Sequence, residues 1–217
     1  MRNMKMITSF KSAIRRMLGL PGDARRYAQL FPRVREAQAK RIMEVGTWRG
    51  DRAVQMIEVA KKMHPANHVE YYGFDLFEVM SPDQYQREIS KQPPSQEEVE
   101  QKLNATGAGI HLFKGNTLQT MPRVVPKLPI MDFVFIDGGH SLETIANDWH
   151  YTEKLMGPHT IVIFDDYWPY RTDAGAKPIV DGIDTHTFSV EILPVQDRFQ
   201  NADFGELVIN LAKVTRR

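Results

Sequence analysis

Short apolar segments alternate with helical segments along most of this chain, and this alternation constrains the fold more than any other feature. The segments are rich in β-branched or aromatic side chains and cover residues 41–45, 69–74, 110–113, 132–136 and 160–164. Helical patterns lie between them, at residues 51–63 and 142–156. Ser141 is expected to cap the start of the second helix, and Gly157-Pro158 to end it. Such alternation is typical of parallel strands joined by crossover helices. Because the strands are almost continuously apolar, we expect both faces of the sheet to be covered.

Two further apolar segments, residues 188–193 and 207–211, follow without a long helix between them. They predict an antiparallel strand at the C-terminal end of the sheet. The sequence therefore predicts an α/β fold with about seven strands, mostly parallel, and helices on both faces. Ligands of such sheets bind beyond the carboxyl ends of the strands, so the residues that follow each strand are the candidates for a site.

The N-terminal region is strongly basic. Residues 1–40 contain ten Lys or Arg side chains and two acidic ones, whereas the whole chain carries a net charge of +1. Four apolar side chains between Ile7 and Met17 recur at helical spacing. We predict a basic helical extension at residues 1–39 that packs on its own domain, residues 40–217. Peripheral contact of residues 1–20 with a membrane surface is the alternative.

Cysteine is absent from the chain, which excludes disulfides, thiolate catalysis and cysteine-ligated metals. No apolar run approaches the roughly 18 residues that a membrane span needs, and the N-terminus lacks the apolar stretch of a secretory signal. We expect a cytoplasmic location.

The segment 79–109 interrupts the alternation, because it is long, polar and contains three prolines. Ser95 and Glu98 form a capping-box pattern that predicts a short helix ending near Asn104. The segment follows the second strand and so lies above the ligand face. We interpret it as a lid, with solvated surface decoration as the equal alternative.

A glycine turn, Glu44-Val45-Gly46-Thr47-Trp48-Arg49-Gly50, follows the first strand. Glycines allow a tight backbone turn and close approach to a ligand. Asp75 follows the second strand, where an acidic side chain can accept both hydrogen bonds of a ribose diol. Together the two features predict a cofactor that contains adenosine. The turn lacks the third glycine of G-x-G-x-x-G, which disfavours a nicotinamide oxidoreductase.

Three carboxylates follow the fourth and fifth strands, at Asp137, Asp165 and Asp166. If these strands are neighbours, the carboxylates converge, and their repulsion must be offset by a cation or a proton. Oxygen ligands favour Mg²⁺, Mn²⁺ or Ca²⁺ over Zn²⁺. His140 lies close to Asp137 in sequence and is a candidate general base. The polar residues Asn116 and Thr117 follow the third strand.

Five runs of the sequence carry a family resemblance when they are taken in order: EVGTWRGDRA, YYGFDLFE, FKGNTLQTMP, DFVFIDGGHSLE and IVIFDDYW. Together they resemble the class I S-adenosylmethionine-dependent methyltransferases, over residues 40–212. The chain is most similar to the small-molecule O-methyltransferases that include the macrocin O-methyltransferases acting on sugars. The resemblance implies a Rossmann-like fold, S-adenosylmethionine as cofactor and a small-molecule hydroxyl as acceptor. It implies no nucleic-acid partner, and it suggests a homo-oligomer.

The resemblance also implies roles for individual residues. Cofactor binding falls to the residues at the ends of the first four strands: Glu44, Gly46, Thr47, Gly50, Asp75, Asn116, Thr117 and Asp137. A divalent cation, Mg²⁺ by its oxygen ligands, falls to Asp137, Asp165 and Asp166. The family's loop after Asp137 is replaced here by Gly138-Gly139-His140. His140 is therefore our own assignment as the base that acts with Asp137, and Tyr167 and Trp168 are candidates for lining the acceptor pocket.

Two other functions fit the same residues. A cephalosporin hydroxylase-like enzyme shares the fold and a similar carboxylate edge. A non-catalytic cofactor-binding module, docked on a partner through the basic N-terminus, is the other alternative.

Overall fold

The computed structural model describes residues 25–79, 94–201 and 205–217, and these residues form one mixed β-sheet with helices around it. The strands, in chain order, are β1 (Arg41–Val45), β2 (Glu70–Asp75), β3 (Gly109–Lys114), β4 (Met131–Ile136), β5 (Met156–Tyr167), β6 (Phe188–Ile192), β7 (Asp197–Asn201) and β8 (Gly205–Arg216). The α-helices are α1 (Leu30–Glu36), α2 (Asp51–Ala60), α3 (Gln96–Asn104), α4 (Thr117–Val124), α5 (Leu142–Thr152) and α6 (Lys177–Asp181).

The strand order is β3-β2-β1-β4-β5-β8-β6, and β7 pairs with β8 as a hairpin. Strands β1 to β5 are parallel to one another, whereas β8 runs antiparallel between β5 and β6. This arrangement confirms the predicted α/β fold with its mostly parallel sheet and antiparallel C-terminal strand. The order reverses between β1 and β4, and a ligand crevice opens at such a reversal.

Helices cover both faces of the sheet. Neighbouring residues of a strand point to opposite faces, so each strand contributes side chains to both cores. Ile42 of β1 packs into a core with α1, α2 and α3, and the adjacent Met43 packs into a second core with α4, α5 and α6. Each core is continuous and almost solvent-free, which explains why the strands of the sequence are apolar at nearly every position.

Local sequence signals set two helix starts as predicted. Ser95 and Glu98 make a complete capping box at α3, and Ser141 accepts a hydrogen bond from the Thr144 amide at α5. Buried Val99 and Leu103 fix α3 in the core. The lid at residues 79–109 stays a prediction, and residues 80–93 of that segment lie outside the described residues.

The structure corrects the predicted end of the helix that begins at Leu142. That helix ends at Thr152, and Gly157 and Pro158, which the sequence suggested as its stop, lie inside β5. Pairing of Met156 with Met131 of β4 extends the strand backward through these residues. The hairpin strand β7 was not predicted either, because its sequence is polar.

Residues 25–39 belong to the body of the domain, since Leu30 and Val34 of α1 are fully buried. The predicted amphipathic helix between Ile7 and Met17 lies outside the described residues. Among the helices that are described, none has the length and apolar character that crossing a bilayer requires.

Candidate functional site

The carboxyl ends of β1, β2, β3 and β4 are joined directly by backbone hydrogen bonds. The Gly46 amide donates to the Phe74 carbonyl at 2.8 Å, and the Asp137 amide donates to the Val45 carbonyl at 2.8 Å. The Gly115 amide donates to the Asp75 carbonyl at 2.9 Å. These bonds bring the predicted site residues of four strands to one edge of the sheet, at the point where the strand order reverses.

The two glycines of the turn serve different neighbours. Gly46 has φ +92°, and a Cβ there would lie 1.9 Å from the Asp137 carbonyl oxygen. Gly50 has φ +70°, and its Cβ would lie 3.2 Å from side-chain atoms of Val99 and Leu103. Gly46 therefore allows β1 to meet the end of β4, and Gly50 allows α3 to pack over the turn.

A buried polar chain lies at the start of the turn. The Tyr71 hydroxyl donates a short hydrogen bond to the Glu44 carboxyl, and the Thr47 hydroxyl lies 3.0 Å from the Tyr71 hydroxyl. Glu44 is 1% exposed, and this burial raises its pKa to about 8. The side chains of Glu44 and Thr47 thus support the turn from inside the core.

Asp75 links the turn to β2. Its Oδ2 accepts a hydrogen bond from the Trp48 amide at 2.6 Å, and its Oδ1 accepts one from the Phe77 amide at 2.8 Å. Burial raises the pKa of Asp75, although these backbone donors oppose the shift. The Leu76 amide is a third backbone donor to Asp75, so about one of the roughly four lone-pair positions of the carboxylate stays open for a further hydroxyl group.

Asn116 and Thr117 open helix α4 beside Asp75. The Asn116 side chain accepts a hydrogen bond from the Leu118 amide at 2.9 Å and so caps the helix, while Thr117 is buried. The structure therefore gives Asn116 a capping role at the position that the sequence predicts to lie near an adenine.

Backbone strain collects at this edge. Trp48, Phe77 and Asp166 have φ values of 44°, 49° and 53°, in the left-handed region that such side chains seldom adopt. Each residue stands at the carboxyl end of a strand: β1, β2 or β5. Strained backbone is typical of ligand clamps and active sites, where the surrounding structure holds it in place.

The three predicted metal-ligating carboxylates do come together. One oxygen from each of Asp137, Asp165 and Asp166 lies within 4.8 Å of the others. Burial raises the pKa of Asp137 well above its ordinary value, and repulsion from Asp165 and Asp166 adds to the shift. The charge of this edge is therefore costly unless it is offset.

Arg26 and Tyr27 meet Asp165, and no pattern in the sequence predicts either contact. The Arg26 Nε and Nη2 atoms donate to the two oxygens of Asp165 at 2.7 and 2.8 Å. The Tyr27 hydroxyl donates to Asp165 Oδ2 at 2.6 Å. Burial by itself lowers the pKa of Arg26, but the Asp165 carboxylate outweighs it and raises that pKa, so the guanidinium stays charged. Only the tertiary fold brings these residues together, because 139 positions separate Arg26 from Asp165.

His140 pairs with the neighbouring carboxylate. Its Nε2 atom lies 2.7 Å from Asp166 Oδ2, and its ring stacks on Trp168 with centroids 5.3 Å apart. The Trp168 indole donates to Asp166 Oδ1 at 3.2 Å. Attraction to His140 lowers the pKa of Asp166 despite its burial. Of the two aromatic candidates, Trp168 thus lies at this edge, whereas the Tyr167 hydroxyl bonds to Asp181.

Solved structures share the fold of this chain. The O-methyltransferase TomG of Streptomyces achromogenes, solved with S-adenosylmethionine, has a TM-score of 0.60 and 19% identity, over 93% of this chain and 86% of that one. An O-methyltransferase of Bacillus cereus, solved with S-adenosylhomocysteine, has a TM-score of 0.58 and 14% identity, over 94% and 88%. An rRNA methylase of Streptococcus thermophilus has a TM-score of 0.58 and 9% identity, over 88% and 96%.

A curated relative matches a smaller part of the chain. Protein R132 of Acanthamoeba polyphaga mimivirus, described as uncharacterized, is 29% identical over 84 residues, which are 38% of each protein. The chain thus matches well under half of that relative's length. A family model described as a methyltransferase domain matches residues 43–167, which span β1 to the end of β5 and cover more than half of the chain. The matched span contains the glycine turn, Asp75 and the three carboxylates, and the chain therefore belongs to the methyltransferase-domain family.

Proposed function

We propose that this protein is an S-adenosylmethionine-dependent methyltransferase that methylates a hydroxyl group of a small molecule. The observation that carries the proposal is the hydrogen-bonded junction of β1, β2 and β4 at the reversal of strand order. That junction sets the glycine turn and Asp75 on one side of a crevice and the His140–Asp166 pair beyond Asp137. Family membership supports methyl transfer, and similarity to TomG and to the Bacillus cereus O-methyltransferase supports the cofactor and the O-methyl product.

The residues at the junction fit an adenosyl cofactor. Asp75 stands at the end of β2 and keeps acceptor capacity for a ribose hydroxyl beside its backbone donors. Helix α2 begins after Gly50 without a side-chain cap, so the amides of its first turn face the same edge as potential donors. When bound, the cofactor supplies a methyl group on a sulfonium. The part of the protein is to seat the cofactor and to align the acceptor.

The His140–Asp166 pair fits the role of a general base. Asp166 orients the imidazole at 2.7 Å and stabilises its charged form, as a carboxylate does when a histidine accepts a proton. His140 would take the proton of the acceptor hydroxyl, and Trp168 would pack against the acceptor. The Asp137 amide bonds to the end of β1, and a carboxylate oxygen of Asp137 lies within 4.8 Å of one of Asp166, so Asp137 would contact both ligands.

The sequence also predicted a divalent cation at Asp137, Asp165 and Asp166. The proximity of the three carboxylates supports it. The donors that already surround Asp165 oppose it, because a cation bound by all three residues would have to displace some of them. The site does not fit a cation held by the full set of three, and the proposed reaction assigns no step to one.

Calorimetric titration with S-adenosylhomocysteine tests the cofactor. We expect wild-type protein to bind it and Asp75→Ala to bind it at least about tenfold more weakly, through loss of the ribose acceptor. Asp173→Ala is the matched control, because Asp173 is an exposed carboxylate in a surface ion pair. Equal affinity of wild type and Asp75→Ala would contradict the assigned site.

Transfer of a labelled methyl group then tests the reaction. The acceptors are a panel of sugars, phenols and secondary metabolites, with RNA included because an rRNA methylase shares the fold. Label in an O-methyl product of a small molecule supports the proposal. Label in RNA, or hydroxylation without label, would replace the proposal with another enzyme class, and cofactor binding without any transfer would favour a binding module.

A further inference from the structure

The carboxylate edge consists of Asp137, Asp165 and Asp166, and the positively charged Arg26 side chain lies within it. The hydrogen bonds of Asp165 show how this guanidinium is held. Arg26 holds both oxygens of Asp165 in a bidentate pair, and the two side chains are 8% and 0% exposed. A planar guanidinium matches a carboxylate in this geometry better than any other side chain does.

Two more donors complete the surroundings of Asp165. The Tyr27 hydroxyl reaches Oδ2 at 2.6 Å, and the Asp166 amide reaches Oδ1 at 2.7 Å. Each oxygen therefore accepts two hydrogen bonds, which fills the roughly four lone-pair positions of a carboxylate. A metal ion could bind Asp165 only by displacing one of these buried donors.

Arg26 is held in place from its other side by the β7–β8 hairpin. Its Nη1 atom donates to Asp197 Oδ2 at 3.1 Å, and Asp197 also accepts hydrogen bonds from the backbone amides of Arg25 and Arg26 at 2.8 and 3.2 Å. The guanidinium is thus fixed between two buried carboxylates, Asp165 and Asp197. Because hydrogen bonds hold both the backbone and the guanidinium of Arg26, moving this side chain away from Asp165 would break several of them.

The two remaining carboxylates cannot make up for Asp165. Asp166 is already paired with the His140 ring at Oδ2 and with the Trp168 indole at Oδ1. A cation on the two residues that remain would have to compete with His140 and Trp168 for Asp166, and Asp137 would be its one uncontested carboxylate ligand.

We infer that the Arg26 guanidinium is the resident cation of this edge, that Asp165 is not a metal ligand, and that the chain works without a divalent cation here. In the reaction, which rests on the proposed function, Arg26 is a positioning residue. It holds Asp165 and, through the Asp166 amide on Asp165, the backbone that presents the carboxylate partner of His140.

Binding of Mn²⁺ alone tests the inference, measured on metal-free full-length protein by electron paramagnetic resonance and calorimetry. We expect wild-type protein to show no specific Mn²⁺ site, and Arg26→Met to bind Mn²⁺ at least about tenfold more tightly, because the change uncovers a third carboxylate. Arg25→Met is the matched control, since it removes the same charge from the preceding residue, whose side chain is exposed. It should leave Mn²⁺ binding as in wild type.

Stoichiometric Mn²⁺ binding by wild-type protein that is lost in Asp165→Asn would overturn the inference, and this comparison does not need Arg26→Met to fold. Equal Mn²⁺ affinity of wild type and folded Arg26→Met would also count against it. Neither readout involves cofactor or acceptor. A protein that fails to bind S-adenosylhomocysteine but shows the expected Mn²⁺ pattern would lose the proposed function and keep this inference.

Discussion

Single residues decide whether the strands at the junction can meet, and Gly46 shows this most clearly. Its positive φ is unfavourable for any other residue, and its missing side chain leaves the space that the Asp137 carbonyl occupies. The glycine of the turn is thus required by the contact between two strands. Whatever it contributes to a ligand comes in addition.

Replacement of Gly46 by alanine should therefore be costly even without a ligand. A Cβ 1.9 Å from the Asp137 carbonyl oxygen forces β1 and β4 apart, and we expect a loss of more than about 2 kcal/mol in the free energy of unfolding, measured with urea. Gly182→Ala is the control, because Gly182 has a negative φ of −85° and its nearest neighbour to a new Cβ is 3.4 Å away. Similar stabilities of the two variants would contradict this account of the turn.

Glu44 predicts a pH dependence of stability. Its pKa rises from an ordinary 4.5 to about 8 on folding, so the folded protein prefers the protonated acid. The stability that this gives is complete below pH 4.5 and is lost as pH rises from there through about 8. In that range the free energy of unfolding of the wild type should fall relative to Glu44→Gln, by about 1 kcal/mol per pH unit. Urea unfolding of both proteins at several pH values measures the difference, and parallel profiles would refute it.

His140 predicts a pH dependence of catalysis. A base must be deprotonated to act, so kcat/KM should fall at acidic pH in wild-type protein, and His140→Gln should lose most of its turnover, by about 10²-fold or more. Cofactor affinity should survive in His140→Gln, which separates a catalytic effect from misfolding. An unchanged kcat in this variant would remove His140 from the reaction.

Among the helices, α3 connects a predicted cap to the site. Its capping box at Ser95 positions a helix whose buried Val99 and Leu103 contact the turn at Gly50. A surface cap therefore bears on the geometry of the candidate cofactor loop. The same contacts explain why the turn needs its second glycine.

Loss of that cap should be measurable at the level of the helix. Ser95→Ala leaves the Glu98 amide without its side-chain acceptor, and we expect it to lower the free energy of unfolding by about 1 kcal/mol. Glu100→Ala, an exposed position on the same helix, should change the free energy by less than about 0.5 kcal/mol. A Ser95→Ala variant as stable as Glu100→Ala would show that packing alone holds α3 in place.

On the scale of the whole molecule, the two ends of the described chain meet at the site. Asp197 of the C-terminal hairpin binds the amides of Arg25 and Arg26, and Arg26 in turn reaches the end of β5. The basic N-terminal region, which the sequence suggested as an extension, thus contributes a side chain to the carboxylate edge. Its far part, residues 1–24, lies outside the described residues.

Removal of Asp197 should therefore loosen the N-terminal segment selectively. In Asp197→Ala we expect faster hydrogen exchange in a peptide that covers residues 25–29, by about tenfold, with little change at the central strands. Asp173→Ala, which breaks an exposed ion pair, is the control and should leave that peptide unchanged. Unaltered exchange in Asp197→Ala would mean that Asp165 alone holds Arg26.

The sequence determined by itself what depends on short-range chemistry. Apolar runs defined the parallel strands, and serine caps defined the starts of α3 and α5. The residues after each strand were predicted to meet because parallel strands share one carboxyl edge. Asp137, Asp165 and Asp166 do meet there, and Asp75 ends β2 at the same edge.

The tertiary structure decided what depends on long-range contacts. The pairing of β4 with β5 carried a strand through Gly157 and Pro158, against their local preference. Folding also brought Arg26 to Asp165 across 139 positions. No periodicity or motif records such a contact, because the attraction of two opposite charges offsets the cost of burying them only where the whole chain places them side by side.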